Sequence, residues 1–295
     1  MNNSVAPAAD PGTLYLVGTP IGNLSDMTER ALRILESVDL IAAEDTRVSS
    51  LLLSKYGIKK PMESYHEHNR QAKGRKIIEL LKNKLSVGLV SDAGMPCISD
   101  PGEDLVRLCV ENEVPVVVIP GVNAGLTALS GSGLSTERFA FEGFIPSEGR
   151  QRRERMMELP GEKRTMVLYE APHRLQKTLL DLCDLGLGGR RITIARELTK
   201  RYEEWLRLTV EKAFDFFSGQ PPRGEFVLIL EGLLEYNRRC PADPEQIEQD
   251  LRRKMRQLIE QGMSVSQAAR ELSERENLKK NELYKIGLTL QTPDD

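Results

Sequence analysis

The sequence lacks several features that would each point to a function class. It has four cysteines in 295 residues, Cys97, Cys109, Cys183 and Cys240, far apart and with no C-x-x-C pair. That spacing argues against a zinc ribbon and a disulfide framework and leaves four reduced thiols in packing roles. No apolar run approaches the ~20 residues needed to span a bilayer. The opening MNNSVAPAADPG has neither a basic n-region nor an apolar h-region, so it does not read as a secretory signal. Residues 1–12 are expected to be a mobile tail on a cytoplasmic protein. There is no G-x-G-x-x-G and no Walker A loop. The nearest approach, VGTPIGN from Val17 to Asn23, sets Pro20 where a phosphate-binding loop wants a backbone N–H. Net charge is also small, −3, so no global field announces a nucleic-acid binder.

What is present is the composition of an ordinary globular protein, 40% hydrophobic and 29% charged, with room for two domains of about 150 residues. Charge is unevenly spread. Residues 121–240 hold 19 basic and 17 acidic side chains and are the only net-positive third. They include RQRRER (Arg150–Arg155), Arg190-Arg191 and Lys200-Arg201. A solvated face is the plain reading of such runs. Phosphate contact by Arg152, Arg153, Arg174, Lys200 and Arg201 is the functional one.

Hydrophobic patterning sets the fold class. Leu14–Val17 is an apolar run ending in GTPIGN, and SDMTERALRILESVD then puts Ala31, Leu35 and Val38 on one helical face, with Asp26 as N-cap and Glu29 as its capping partner. DLIAAEDTR, Val87–Val90 and VPVVVIP repeat the motif of a continuously apolar strand beside a helix. That alternation predicts a parallel sheet covered on both faces over residues 13–120. Residues 121–235 carry five strand-like runs, with Trp205 in a hairpin, and are expected to form a second α/β domain with a mixed sheet. Residues 240–295 turn polar and helical. Ser264 and Gln267 form a capping box there, ahead of two short helices resembling a helix-turn-helix, a module that either grips RNA or packs on the body.

In an open parallel sheet the ligand crevice lies at the carboxyl ends of the strands. Seven distinctive clusters fall at strand ends: GTPIGN, Glu44–Arg47, Tyr65–Asn69, SDAGMPCISDPG, Pro120–Gly125, Tyr169–Arg174 and Arg196–Lys200. His66 and His68, two apart, would share one face of a strand, but no third ligand accompanies them and no metal is expected. In the long acidic loop Asp100 reads as the N-cap of the next helix, with Pro101 at its first position. Asp92 is then the carboxylate facing the cleft.

Taken in order, LYLVGTPIGNLSDMTERA, AEDTR, SDAGMPCISDPG, VIPGVNA, YEAPHR and ARELTKRYEE resemble the RsmI branch of the tetrapyrrole methylase superfamily over roughly residues 13–233. GTPIGN stands where corrin and porphyrin methylases carry G-x-G-P-G, which favours the ribosomal RNA branch. The resemblance implies two α/β domains with a cleft between them, a homodimer, and S-adenosylmethionine as cofactor. The implied reaction is 2'-O-methylation of a cytidine in the decoding region of 16S rRNA, free or in the small ribosomal subunit. A tetrapyrrole or other small-molecule methylase, and a non-catalytic S-adenosylmethionine-binding protein, are the alternatives. By resemblance the cofactor falls to Thr19 and Pro20, to Ser91, Asp92, Ala93, Gly94 and Pro96, to Gly121, Asn123 and Ala124, and to Tyr169 and Ala171. Glu44, Asp45, Glu170 and Glu197 compete as the base for the ribose hydroxyl, each beside an arginine that keeps it ionised and lowers its basicity. Arg47, Arg174 and Arg196 are candidates to hold phosphates, and Glu170 and Arg196 are expected nearest the chemistry. A sulfonium leaving group already carries its charge, so no metal is required.

Overall fold

The computed structural model describes residues 9–219, 221–241, 244–276 and 278–290. The chain divides between Glu235 and Tyr236 into two compact units.

The first unit holds two sheets. Strands β1 (Leu14–Val17), β2 (Leu40–Ala43), β3 (Met62–Ser64), β4 (Val87–Val90) and β5 (Val116–Ile119) form a parallel sheet in the order β3-β2-β4-β1-β5. Helices α1 (Glu29–Ser37), α2 (Thr46–Lys55), α3 (Arg70–Lys82), α4 (Glu103–Glu111) and α5 (Ala124–Gly131) follow the strands in turn. Alternation along the strands builds two cores. Leu14, Leu16, Val87 and Leu89 pack with Ile77, Leu81 and Leu105, while Tyr15, Val17, Ile41 and Val90 pack with Leu35 and Leu53. Each such side chain contributes about 1.5–3 kcal/mol by burial. With both faces covered, only the strand ends and their loops are left for a site.

The second sheet contains β6 (Phe139–Phe144), β7 (Thr165–Glu170), β8 (Arg191–Arg196), β9 (Glu204–Thr209) and β10 (Phe226–Leu230) in the order β6-β7-β10-β8-β9. It is mixed: β6 and β7 are parallel, and the other pairs are antiparallel. Trp205 sits opposite Ala195 in the β8–β9 hairpin. Helices α6 (Gly149–Glu158), α7 (Pro172–Leu182) and α8 (Val210–Ser218) complete this half, and α9 (Leu233–Arg239) leads out of it. In the second unit α10 (Pro244–Glu260), α11 (Val265–Glu276) and α12 (Lys280–Thr289) enclose Met255, Leu258, Ala268, Ala269, Leu272 and Leu283. The Ser264 capping box is formed, with Gln267 Oε1 accepting the Ser264 N–H at 3.0 Å. No helix among the described residues is long and apolar enough to cross a membrane.

Five details differ from the sequence expectations. Thr28, not Asp26, caps α1, its Oγ1 accepting the Ala31 N–H at 3.1 Å. β3 is marked in the sequence only by the cluster at its end, Tyr65–Asn69, and its own residues are not picked out, since three half-buried residues give no usable alternation. His66 and His68 lie in a turn rather than a strand, with Asn69 Nδ2 3.1 Å from His66 Nε2. The helix after the acidic loop begins at Glu103, behind Gly102 at φ 134°. Gly102 is itself the N-cap and no side chain caps the helix, so Asp100, two residues ahead, does not. Of the expected tail, residues 1–8 lie outside the described residues, while Ala9 and Asp10 are anchored by N–H donation to Ser37 Oγ (3.0 Å) and the Tyr15 hydroxyl (2.8 Å).

Candidate active site

The loops after β1, β4 and β5 meet at very short range. Thr19 and Gly94 exchange backbone hydrogen bonds of 2.8 and 3.1 Å, and a Cβ on Gly18 would fall 2.7 Å from Gly121 Cα. Only glycine allows two main chains to approach so closely. Gly94, at φ 82°, turns the acidic loop back past this crossing. On the other side the loop after β8 reaches across, so that a Cβ on Gly22 would meet Lys200 Cγ at 2.4 Å.

These loops enclose a cavity of about 470 Å³, within the roughly 300–1,000 Å³ range of small-molecule sites. Its walls are apolar and largely short: Ile21, Ala93, Gly94, Ala124, Ala171 and Ala195 are among them, with Tyr169. The Tyr169 hydroxyl accepts the Gly125 N–H at 3.0 Å, and Phe141 and Phe144 meet its ring edge to face. The charged groups lining the cavity are informative. Asp100, Glu170 and Glu225 are there, and among the described residues no lysine or arginine is. Glu170 is paired with Arg174 at 3.2 Å and Glu225 with Lys200 at 2.8 Å, both cations lying off the lining, so the cavity is mainly apolar with acceptor oxygens at its edge and suits a largely apolar ligand that offers donors or a positive charge. Beside it runs a polar groove of about 1060 Å³ lined by Glu44, His66, Arg70, Arg75 and Arg107. Ser99 and Asp100 line both.

Burial, then the charges of Glu44 and Asp92, pushes the Asp100 carboxyl up to about 7, against a hydrogen bond from Ser91 that lowers it. Glu44 is also raised, first by burial, while the Asp92 N–H lowers it. Asp45 behaves oppositely: Arg47, bound at 2.6 Å, holds it down to about 2.

The comparisons with known proteins fit this architecture. Residues 13–213 match the family model of the Tetrapyrrole (Corrin/Porphyrin) Methylases, and residues 245–291 match the RsmI C-terminal HTH domain. A Synechocystis protein named ribosomal RNA small subunit methyltransferase I is 45% identical over 280 residues, 95% of this chain and 99% of its own length. The chain belongs to the ribosomal RNA small subunit methyltransferase I family of tetrapyrrole methylases. A Thermotoga maritima protein of the same name is 46% identical over 75% of this chain and 99% of its own. Among solved structures, cobalt precorrin-4 methyltransferase superposes with a TM-score of 0.56 at 18% identity, over 77% of this chain and 98% of its own. Diphthine synthase does so at 0.57 and 14%, over 74% and 90%. At those identities they show a shared fold.

In this tetrapyrrole methylase the expected site residues separate into three groups. Ala93, Gly94, Asn123, Ala124, Tyr169, Glu170 and Ala171 line the cavity. Thr19, Pro20, Ser91 and Pro96 are buried and Gly121 is half-buried, none of them on the cavity's lining. Thr19 Oγ1 is 3.3 Å from the Ser91 carbonyl oxygen. A third group faces elsewhere. Asp92 is exposed and accepts the Asp45 N–H at 3.0 Å. Arg196 is held by the Arg223 carbonyl (2.7 Å) and Glu204 (3.1 Å), and Glu197 by Lys200 (2.9 Å) and the Glu225 N–H (2.9 Å). Arg152, expected to face RNA, is 5% exposed. Its guanidinium binds Asp181 at 2.5 Å and the Thr178 hydroxyl at 3.1 Å. Arg174 is likewise turned inward to Glu170 at 3.2 Å. Arg153 and Arg201 remain exposed, with Arg201 over the Tyr202 ring.

The clusters read from the sequence contain Ile21, Ile98, His173 and Leu198 without giving them a role, Asp100 reads there as a helix cap, and the start of β10 is missed. The β10 residues escaped for a simple reason. An antiparallel strand brings its amino end to the rim where its neighbours bring their carboxyl ends, and Phe226 pairs with both Glu170 and Arg196.

Proposed function

We propose that this chain transfers a methyl group from S-adenosylmethionine to the ribose 2'-oxygen of a cytidine in the decoding region of 16S rRNA, acting in the cytoplasm on the RNA or the small ribosomal subunit. The observation that carries the reading is the paired geometry: an apolar cavity with carboxylates and no basic side chain, joined at Asp100 to an arginine-bearing groove. S-adenosylmethionine has an adenosine face, a positive sulfonium and no phosphate, which is what the cavity's donor set suits. When bound it supplies a methyl carbon already activated by the charge on sulfur. The chain's contribution is alignment, which for well-oriented partners is worth up to about 7–11 kcal/mol. Short side chains at Ala93, Ala124 and Ala171 let backbone groups approach the ligand, and the Tyr169–Gly125 bond fixes the wall they belong to. Arg70, Arg75 and Arg107 are the groove's candidates to orient a ribose-phosphate chain, although they stand among the carboxylates of Glu44, Glu67, Asp100, Glu103, Asp104 and Glu111, and Arg107 is paired with Glu103 at 2.6 Å.

Homodimer formation is part of the same reading. Val118 on the edge strand β5, with Phe139 and Phe141 on the edge strand β6, exposes apolar surface that a second copy would cover. The exposed Arg153 and Arg201 are assigned to backbone phosphates. Reversing both to glutamate is expected to weaken subunit binding about equally across sequences and to flatten the logarithmic salt dependence by roughly one for each phosphate no longer neutralised. Titrations at two salt concentrations check this.

The deciding experiment is nucleoside mass spectrometry of 16S rRNA with and without the gene. Loss of 2'-O-methylcytidine on deletion is the expected result. An unchanged signal, together with methylation of a tetrapyrrole by the purified protein, would move the assignment to the small-molecule branch.

A further inference from the structure

We propose that Asp100 is the general base of this site, taking the proton of the ribose 2'-hydroxyl as that oxygen attacks the methyl carbon. The inference rests on the functional reading above and adds the residue that handles the proton.

Position comes first. Among the described residues only Ser99 and Asp100 line both the cavity and the groove, so a methyl donor in one and a ribose in the other would meet at this carboxylate. A hydroxyl at Ser99 is no base at neutral pH. The loop is held there under strain, with Cys97 at φ 72° and Ser99 at φ 64°. Left-handed conformations at non-glycine residues cost on the order of 1–3 kcal/mol each and cluster at functional sites.

The rival carboxylates are occupied. Glu170 gives Oε1 to the Ala171 N–H (2.9 Å) and Arg174 (3.2 Å), and Oε2 to the Thr178 hydroxyl (2.5 Å). Asp45 is tied to Arg47. Glu197 and Glu225 share the Lys200 ammonium. Glu44 lines the groove alone and receives the Asp92 N–H.

The surroundings of Asp100 set its proton affinity. Glu44 and Asp92 face it from the β2 and β4 loops and disfavour its anion, while Ser91 donates to it. Cys97 and Tyr169 both register its charge. Glu103, Asp104 and Arg107 lie along the groove from α4, with Arg70, Arg75 and His66 opposite, and His173 lies in the cavity wall. A carboxyl near neutrality is a far better proton acceptor than a solvent-exposed one, and positioned bases contribute about 10²–10⁴ in rate. The step balances. An oxygen–carbon bond forms, the carbon–sulfur bond breaks with its pair passing to sulfur, and the hydroxyl proton moves to Asp100 Oδ. The products are a methylated ribose and a neutral thioether, and the open groove returns the proton to water.

The test is single-turnover methyl transfer to small ribosomal subunits at saturating S-adenosylmethionine between pH 5.5 and 9. The wild-type rate should rise tenfold per pH unit and level off at or below about 7, because the base must be ionised and a cation in the cavity favours the anion. Asp100→Asn should lower the plateau roughly 10²–10⁴-fold and remove the bend, while S-adenosylmethionine affinity by calorimetry falls far less, by about tenfold at most. Asp100→Glu should restore part of the rate and a bend. Without substrate, carboxyl ¹³C NMR of the aspartate-labelled chain should show one resonance titrating near neutrality that is missing in Asp100→Asn. An Asp100→Asn rate within threefold of wild type overturns the assignment, as does a bend that survives this change but vanishes in His173→Gln. A parallel loss of cofactor affinity and rate would make Asp100 a cofactor ligand and equally overturn it. If Asp100→Asn does not fold, absence of any near-neutral aspartate resonance in the wild-type chain is the overturning result. Failure of the wild-type chain to methylate the subunit overturns the functional reading and this assignment together, whereas the preceding outcomes overturn the assignment alone.

Discussion

Gly18→Ala is expected to lower the melting temperature of the chain by roughly 6–12 °C and to abolish measurable S-adenosylmethionine binding. The added Cβ would stand 2.7 Å from Gly121 Cα and 2.7 Å from Met95 Sδ. The methionine can swing away, but the glycine main chain cannot. Overpacking of this kind costs about 1–3 kcal/mol and more where backbone is the obstacle. At about 3 kcal/mol, and 2–4 °C per kcal/mol for a unit of this size, the stated shift follows. Binding suffers more than folding because the crossing also sets the spacing between the Ala93–Gly94 and Asn123–Ala124 walls. Gly161→Ala, where a Cβ meets nothing within 4 Å, is the control and should leave both readouts unchanged. Thermal melts and calorimetry decide it, and a Gly18→Ala protein with wild-type affinity would show that the loops do not meet in solution.

Glu170→Ala should produce the largest combined loss. The carboxylate is 3% exposed and is the centre of a relay in which Arg152 holds the Thr178 hydroxyl at 3.1 Å, Thr178 holds Glu170 at 2.5 Å, and Arg174 approaches from the other side at 3.2 Å. Removing it strands a partly buried guanidinium, which typically costs about 3–5 kcal/mol. It also frees the Ala171 N–H that fixes the cavity wall. The expected result is a strongly destabilised protein with cofactor affinity down at least tenfold, while Glu170→Gln keeps the shape and loses less of both. Equal behaviour of the two variants in melts and titrations would remove charge from the explanation.

The parallel sheet was legible because Leu14–Val17, Val87–Val90 and Val116–Ile119 are continuously apolar and each is followed by a helix. The later strands were legible from apolar stretches such as Met166–Tyr169 and Phe226–Leu230 and from the β8–β9 hairpin, not from a helix after each. What escaped was whatever depends on where a loop points. Asp92 and Asp100 lie eight positions apart in one acidic loop, and local rules made the second a helix cap and the first the site carboxylate. In the structure Gly102 at φ 134° is the cap of α4 and Asp100 lines the cavity, while Asp92 is exposed and accepts the Asp45 N–H. Arg152 shows the same limit. Five of the six positions in RQRRER are charged and read as a solvated run, and only the packing of α6 against α7 decides which guanidinium turns inward to Asp181.

The strand order of the second sheet bears on how the enzyme is made. β10, which leaves the ribosome after the other nine described strands, is the central one, hydrogen-bonded to β7 on one side and β8 on the other. A nascent chain stopped before Phe226 therefore has two half-sheets with no seam to join them, and nothing sets the distance between the walls at Ala171 and Ala195. Since domains fold as units during synthesis, the cavity closes only after about residue 230 has emerged.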